Sequence, residues 1–461
     1  MKRWLEPAKT VILCLLVVAS FCLTAAIWIN QPNFQMIEPA KYTESKPVFE
    51  KQLEKIITPS AVVFHYGQDR HTKAVATDGQ FSMIMREMPR WIFLDFSPFT
   101  MTEDKWREIA REKLGLEVRF RSSIPLAAVG RLVTFREDYN IPLKGIDRIW
   151  LYHEPEEDLV YALFFSGEEE KIVRSRTSIS PKDLRDSYLA NGNQMPEQIM
   201  KVVIPKRYTY ASPAEKGQTY WHMYYLPKHQ IRMHQFSYSY EPVSVERVIE
   251  AYFLDPSLVR QIMERDKTMI YTDGSRSIQV RSEQMAMTFT DPAYQQRAVQ
   301  LSDTEKLQGA VNFVNKHLGW LDDYYFERFR KSYNDKDVMT FRQYIGAYPL
   351  VSKGDKPVDT IEITSEAGQV VTMNRSLLDL DSYVAHKDWK VMSGPELYNL
   401  IRERNLANTD EITNAYLAYQ TLVAEDTIDL IPTWVVEVPN QPTLYIPARS
   451  TEGGGGSIGL E

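Results

Sequence analysis

From Thr10 to Ile29 the chain runs for twenty residues without a charge. Wound as a helix, that run reaches about 30 Å, the depth of a bilayer's hydrocarbon core. The pattern predicts a transmembrane helix over 10–29. Downstream, apolar residues recur at helical spacing in three short segments, each opened by Ser or Thr with Glu three places on. Thr100-Met101-Thr102-Glu103 leads into Trp106, Ile109, Ala110 and Leu114, with Gly115 as the expected stop. Ser302 and Glu305 precede Leu307, Ala310, Val311, Val314 and Leu318, stopped at Gly319. Ser393 and Glu396 precede Leu397, Leu400 and Ile401. In each, hydroxyl and carboxylate satisfy free N–H groups at the helix start while the stripe buries on a sheet.

Between these helices the period falls to two. Leu116, Val118 and Phe120 alternate with charged residues, and His234, Phe236, Tyr238 and Tyr240 alternate with Gln235, Ser237 and Ser239. Both read as half-buried strands. Met269–Tyr271 and Ile278–Val280 flank Asp273-Gly274, and Val358–Ile363 and Val370–Met373 flank Ala367-Gly368, two hairpin patterns. Pro432 within Leu430–Val436 predicts an edge or a strand start, because proline donates no ladder hydrogen bond. Breaks near Pro196 and Leu301 divide the chain into a stalk (30–47), an N-terminal domain (48–195), a central domain (196–300) and a C-terminal domain (301–446). The glycine-rich end, 447–461, reads as a flexible tail. The expected fold class is α+β: an N-terminal transmembrane helix, then three mixed domains of mostly antiparallel sheet with packed helices.

Charge orients this arrangement. Lys2, Arg3 and Lys9 outweigh Glu6 before the span, so residues 1–9 stay cytoplasmic and the bulk lies outside the membrane. The apolar run continues past the small residues Thr24-Ala25-Ala26, which favours an uncleaved anchor over a signal peptide, and Phe21 before Cys22 disfavours a lipoprotein. Ser20 and Thr24 are four apart, as are Cys22 and Ala26. Each pair therefore lies along one helix face, a candidate surface for packing on another membrane helix. The only cysteines, Cys14 and Cys22, fall in the span, so no disulfide supports the outer part. A net charge of −7 argues against a nucleic-acid partner.

Little in the residues points to chemistry. Cys-x-x-Cys, His-Glu-x-x-His, a phosphate loop and a Gly-x-Ser-x-Gly elbow are all absent. His222 and His234 would need to meet across a hairpin to share a metal ion, and strand residues are the better account of both. The acidic runs at Glu154, Glu156, Glu157 and Asp158 and at Glu168–Glu170 read as solvated turns rather than paired carboxylates. The aromatic run Thr219–Tyr225 suits a core strand better than a sugar-stacking platform. No catalytic, metal, cofactor or small-molecule site is expected.

Taken in order, several motifs resemble the YycH (WalH) family. They are Met1-Lys2-Arg3 entering one span, Trp28-Ile29-Asn30-Gln31-Pro32 leaving it, and Tyr271-Thr272-Asp273-Gly274-Ser275-Arg276-Ser277. Farther on come Asn312-Phe313-Val314, Phe341–Pro349 and Leu430-Ile431-Pro432-Thr433-Trp434. The resemblance implies a non-catalytic, membrane-anchored extracytoplasmic regulator that joins YycI and the essential sensor histidine kinase WalK (YycG), adjusting its activity and hence cell-wall metabolism. It also implies a last domain like YycI and PepSY modules, and it supplies no catalytic residues. The competing expectation is an envelope glycan binder or peptidoglycan-acting enzyme using Tyr220–Tyr225.

Overall fold

The computed structural model describes residues 13, 15–24, 50–136, 141–203, 220–281, 285–292, 301–331, 336–353 and 358–450. Its strands group into two large sheets. The first holds β1 (Ala61–Tyr66), β2 (His71–Val75), β3 (Ile92–Pro98), β4 (Leu114–Pro125), β5 (Thr134–Phe135), β6 (Gly145–Glu154), β7 (Leu159–Ser166), β8 (Lys171–Thr177), β9 (Glu197–Val203) and β10 (His222–Pro227). They lie in the order β10-β9-β2-β1-β4-β6-β7-β8-β3-β5. Among the described residues only β3 with β5 is parallel in this sheet.

The second sheet begins with β11 (Ile231–Pro242), β12 (Arg260–Met263), β13 (Met269–Thr272), β14 (Ser277–Arg281), β15 (Ala286–Thr290), β16 (Tyr324–Lys331) and β17 (Lys336–Ile345). It continues with β18 (Tyr348–Ser352), β19 (Thr360–Glu366), β20 (Gln369–Ser376), β21 (Leu378–Val391), β22 (Asn414–Val423), β23 (Thr427–Glu437) and β24 (Leu444–Pro447). Its path runs β12-β13-β14-β15-β20-β19-β17-β18-β22-β23-β11-β21, with β16 and β24 branching from β17 and β23. Strands of the 196–300 segment go both ways: β9 and β10 belong to the first sheet and β11–β15 to the second. The fold is mixed α+β and dominated by antiparallel sheet, as the alternation of periods implies.

Two of the three expected caps form as read. Ser302 and Ser393 each accept the backbone N–H three residues on, and Glu305 and Glu396 return to the cap N–H at 2.7 and 2.6 Å. The 303–316 helix buries Leu307, Ala310, Val311 and Val314 in the core shared with the first sheet, and the 394–403 helix buries Leu397 and Ile401 against Leu430, Trp434 and Val436. The third start shifts. Thr102, not Thr100, caps the helix at Glu103, and Lys105 supplies the N–H, so no box closes there. Gly115 does not stop that helix either. It is a residue of β4, where an added Cβ would come within 2.6 Å of the Leu151 carbonyl on β6.

Both hairpins are present, β13–β14 and β19–β20. At the first turn the Asp273 carboxylate accepts the N–H groups of Ser275 and Arg276, and Gly274 takes φ +95°. Pro432 corrects an expectation. β23 is an interior strand, paired with β22 along its length. On its other side the pairing with β11 ends at Leu430 and that with β24 begins at Thr433. Proline thus sits in the gap between two partners, where a missing donor costs no ladder bond.

Candidate functional site

The expected transmembrane face is described only in part. Residues 15–24 are helical and their apolar side chains are exposed, Phe21 and Leu23 at 73% and 67%. Ser20, Cys22 and Thr24 lie in this stretch, Cys22 as a free exposed thiol, and Thr24 Oγ1 donates to the Ser20 carbonyl at 2.9 Å. Ala26, together with 10–12, 14 and 25–29 of the expected span, lies outside the described residues. Among the described residues no helix is long and apolar enough to cross a membrane.

The aromatic run 220–225 is core. Tyr220, Trp221, Met223, Tyr224 and Tyr225 are all buried, and the Trp221 ring stacks on Trp106 at 5.4 Å. Tyr220, Trp221 and Met223 join Trp106, Ile109 and Ala110 in an apolar cluster over the second face of the first sheet, while Tyr224 packs in the core of the second, so Glu117 of β4 faces a buried layer rather than solvent. This is where the sequence was misleading, for alternation of apolar and charged residues normally marks one wet face.

That layer holds a charged cluster. Glu117 on β4 is fully buried and accepts from Arg119 Nη1 at 2.6 Å and from the Tyr225 hydroxyl at 2.7 Å. Arg148 Nη1 stands 3.7 Å from the same carboxylate, and its Nη2 donates to Tyr220. His65 on β1 lies 3.6 Å from Glu117, stacks on Trp150 at 4.4 Å, and shares a 2.9 Å hydrogen bond with His71 on β2. Burial alone would lift the Glu117 carboxyl. Arg119, the neighbouring His65 ring and Arg148 outweigh it and hold the group well below the usual carboxylate range. Burial pushes both imidazoles down, His71 to about 4, so both are neutral at pH 7. Lys73 on β2 is pulled down to about 8 by burial and then by Arg119.

Chemically, both Glu117 oxygens are engaged and the cluster is sealed under aromatic rings, so it ties five strands together: β1, β2, β4, β6 and β10. Of these residues only Tyr220 and Tyr225 stood out in the sequence, as part of the aromatic run; the charged residues and histidines did not. The one signal was Glu117 and Arg119 placed between the apolar residues of a long strand. Other readings hold. The acidic runs cap the β6–β7 and β7–β8 hairpins, and Glu154 binds Lys113 at 2.6 Å. His222 lies in the first sheet and His234 in the second, so the pair does not share a hairpin.

Comparisons with known proteins cover nearly all of this chain. The model of the YycH protein N-terminal domain matches residues 6–188, and that of the C-terminal domain matches residues 222–447. A relative from Bacillus subtilis (strain 168), described as "Two-component system WalR/WalK regulatory protein YycH", is 23% identical over 95% of both chains. The crystal structure of YycH from B. subtilis superposes with a TM-score of 0.65 at 17% identity, covering 87% of this chain and 98% of that one. A protein from Eubacterium rectale reaches a TM-score of only 0.34 over 48% of the chain, too low for a shared fold to follow.

Proposed function

The chain belongs to the YycH family, and from that membership we propose that it is a non-catalytic regulator of a two-component sensor histidine kinase, WalK (YycG). The observation that carries the reading is the pair of family domains, together with a full-length relative named for regulation of the WalR/WalK system. In this reading one membrane helix over 10–29 anchors the chain with its N-terminus cytoplasmic. The remainder lies outside the cell membrane, in three units at 48–195, 196–300 and 301–446, the last resembling YycI and PepSY modules. YycI joins the assembly, and its output is control of cell-wall metabolism.

Physical support comes from the exposed apolar helix of 15–24, which needs lipid or another helix to cover it. Confinement beside the kinase's own spans raises effective concentration, so weak contacts suffice. Differential binding worth about 1–3 kcal/mol biases a two-state receptor. The envelope-glycan reading loses its platform, since five of the six side chains of Tyr220–Tyr225 are buried.

The test replaces Ser20, Cys22, Thr24 and Ala26 together with Leu and follows co-purification with the kinase from membranes. Co-purification is expected to weaken while circular dichroism of the outer part stays unchanged. Retained co-purification would move the contact to the outer domains, and loss of membrane attachment on solubility fractionation of the wild type would remove the anchor altogether.

A further inference from the structure

Across the β11–β21 pair, three ligand-type side chains converge on one exposed face. His234 stands opposite Asp388 in the register, and Phe236 stands opposite His386. Alternation along each strand therefore puts His234, His386 and Asp388 on the same side. One donor atom from each lies within 4.8 Å of the other two, and among the described residues this is a metal-sized grouping of side chains from two strands. His234 Nδ1 is 3.0 Å from an Asp388 oxygen, and the two imidazole rings meet edge to face at 5.1 Å. The Tyr383 hydroxyl hydrogen-bonds His386 Nδ1, the kind of outer partner that orients a ligating imidazole. Tyr383 reaches this face because the register shifts between Ser237 and Tyr238, which sets Tyr383 opposite Tyr238.

We propose that His234, His386 and Asp388 form a divalent transition-metal site on the β11–β21 face, with zinc as its ion. Two imidazoles and one carboxylate are the donor set of three-ligand zinc sites that keep an open fourth position. Hard cations fit poorly. The site offers a single carboxylate, where calcium takes six to eight oxygen ligands. The next pair along the same face, Arg232 with Lys390, adds positive charge. An ion must therefore be held by inner-sphere nitrogen bonds rather than by the field of the surface, which selects zinc over calcium or magnesium. The three side chains are exposed, so small rotations bring the donors to bonding distance without disturbing a core. A bound ion would cross-link β11 to β21, the last strand of the sheet path, whose far side is met by the bridge of Val391 to Arg449.

The experiment titrates zinc chloride into the purified full-length chain in detergent by isothermal calorimetry, with cobalt(II) absorption as an independent report of nitrogen ligation. One equivalent is expected to bind, and His386→Gln or Asp388→Asn should each weaken it at least about tenfold. Tyr383→Phe should weaken it by about tenfold through the imidazole it orients. His229→Gln, an exposed histidine outside the group, should leave binding unchanged. Melting curves taken without zinc check that each variant folds. Absence of saturable zinc binding, or binding indifferent to both His386→Gln and Asp388→Asn, overturns the site, and neither result bears on the kinase-regulator reading.

Discussion

At the scale of single residues, the buried cluster around Glu117 dominates. Glu117 faces both Arg119 and the nearly buried Arg148, whose Nε also lies 3.5 Å from Asp147, so Glu117→Gln takes the negative charge from beside Arg119 and leaves Arg148 with Asp147 in place of two carboxylates. Breaking a buried pair this way costs about 3–5 kcal/mol, expected as a lowered urea midpoint with unchanged slope. His71 makes the same layer sensitive to acid. In the unfolded chain its ring takes up a proton below about 6.5, whereas in the fold it resists until about 4. The folded value is depressed, so the contribution is complete above 6.5 and is lost as pH falls from 6.5 toward 4. Urea unfolding at pH 7.5, 6 and 5 should show falling stability, with a shallower fall in His71→Gln. Equal pH slopes in both proteins would refute the assignment. None of this was legible in the sequence. Glu117 and Arg119 look like the wet face of a strand, and only the rings of Trp150, Tyr220 and Tyr225, brought in from two other segments, exclude water from it.

At the scale of elements, the sequence spoke more clearly. A capping box needs only four consecutive residues, so Ser302 with Glu305 and Ser393 with Glu396 are readable without the fold. Ser302→Ala and Ser393→Ala should each cost about 1 kcal/mol in denaturation experiments. The shifted start at Thr102 gives a sharper expectation. Thr102→Ala should cost about 1 kcal/mol, while Thr100→Ala should stay within about 0.5 kcal/mol. The reverse ranking would show that the helix begins two residues earlier. Pro432 and Gly115 were misread for one reason: the meaning of each depends on a neighbouring strand. Pro432 lies between the segments of β23 that meet β11 and β24, and Gly115 makes room for the Leu151 carbonyl. Neither neighbour is near in sequence.

At the scale of the whole molecule, the two sheets are joined by a continuous core. Residues of β1, β4 and β6 pack in the same apolar cluster as the 303–316 helix, β13–β17, β19 and β20. Polar contacts reinforce the joint. The Asn315 side chain accepts from the Lys51 backbone N–H and donates to its carbonyl, both at 3.0 Å, and takes the Trp320 indole N–H at 2.6 Å. Arg121 of β4 lies over the rings of Tyr325 and Tyr344, at 4.0 and 4.4 Å. Calorimetry should therefore show one main unfolding transition, and Asn315→Ala should lower its midpoint by a few degrees, matching a loss of about 1–3 kcal/mol. Two well-separated transitions would show that the sheets unfold independently.

By itself the sequence determined what local chemistry governs: the uncharged run at the N-terminus, the helix caps, the Asp273-Gly274 and Ala367-Gly368 turns, the alternating strands, and the ordered motifs of the family. Each rests on residues a few positions apart, where backbone geometry links position to environment. Only the tertiary structure decided which strands share a sheet, that the second face of the first sheet is buried, and that His234 meets His386 and Asp388. Those facts join residues more than a hundred positions apart. They are fixed by pairing and packing across the whole chain, which periodicity within a segment does not encode.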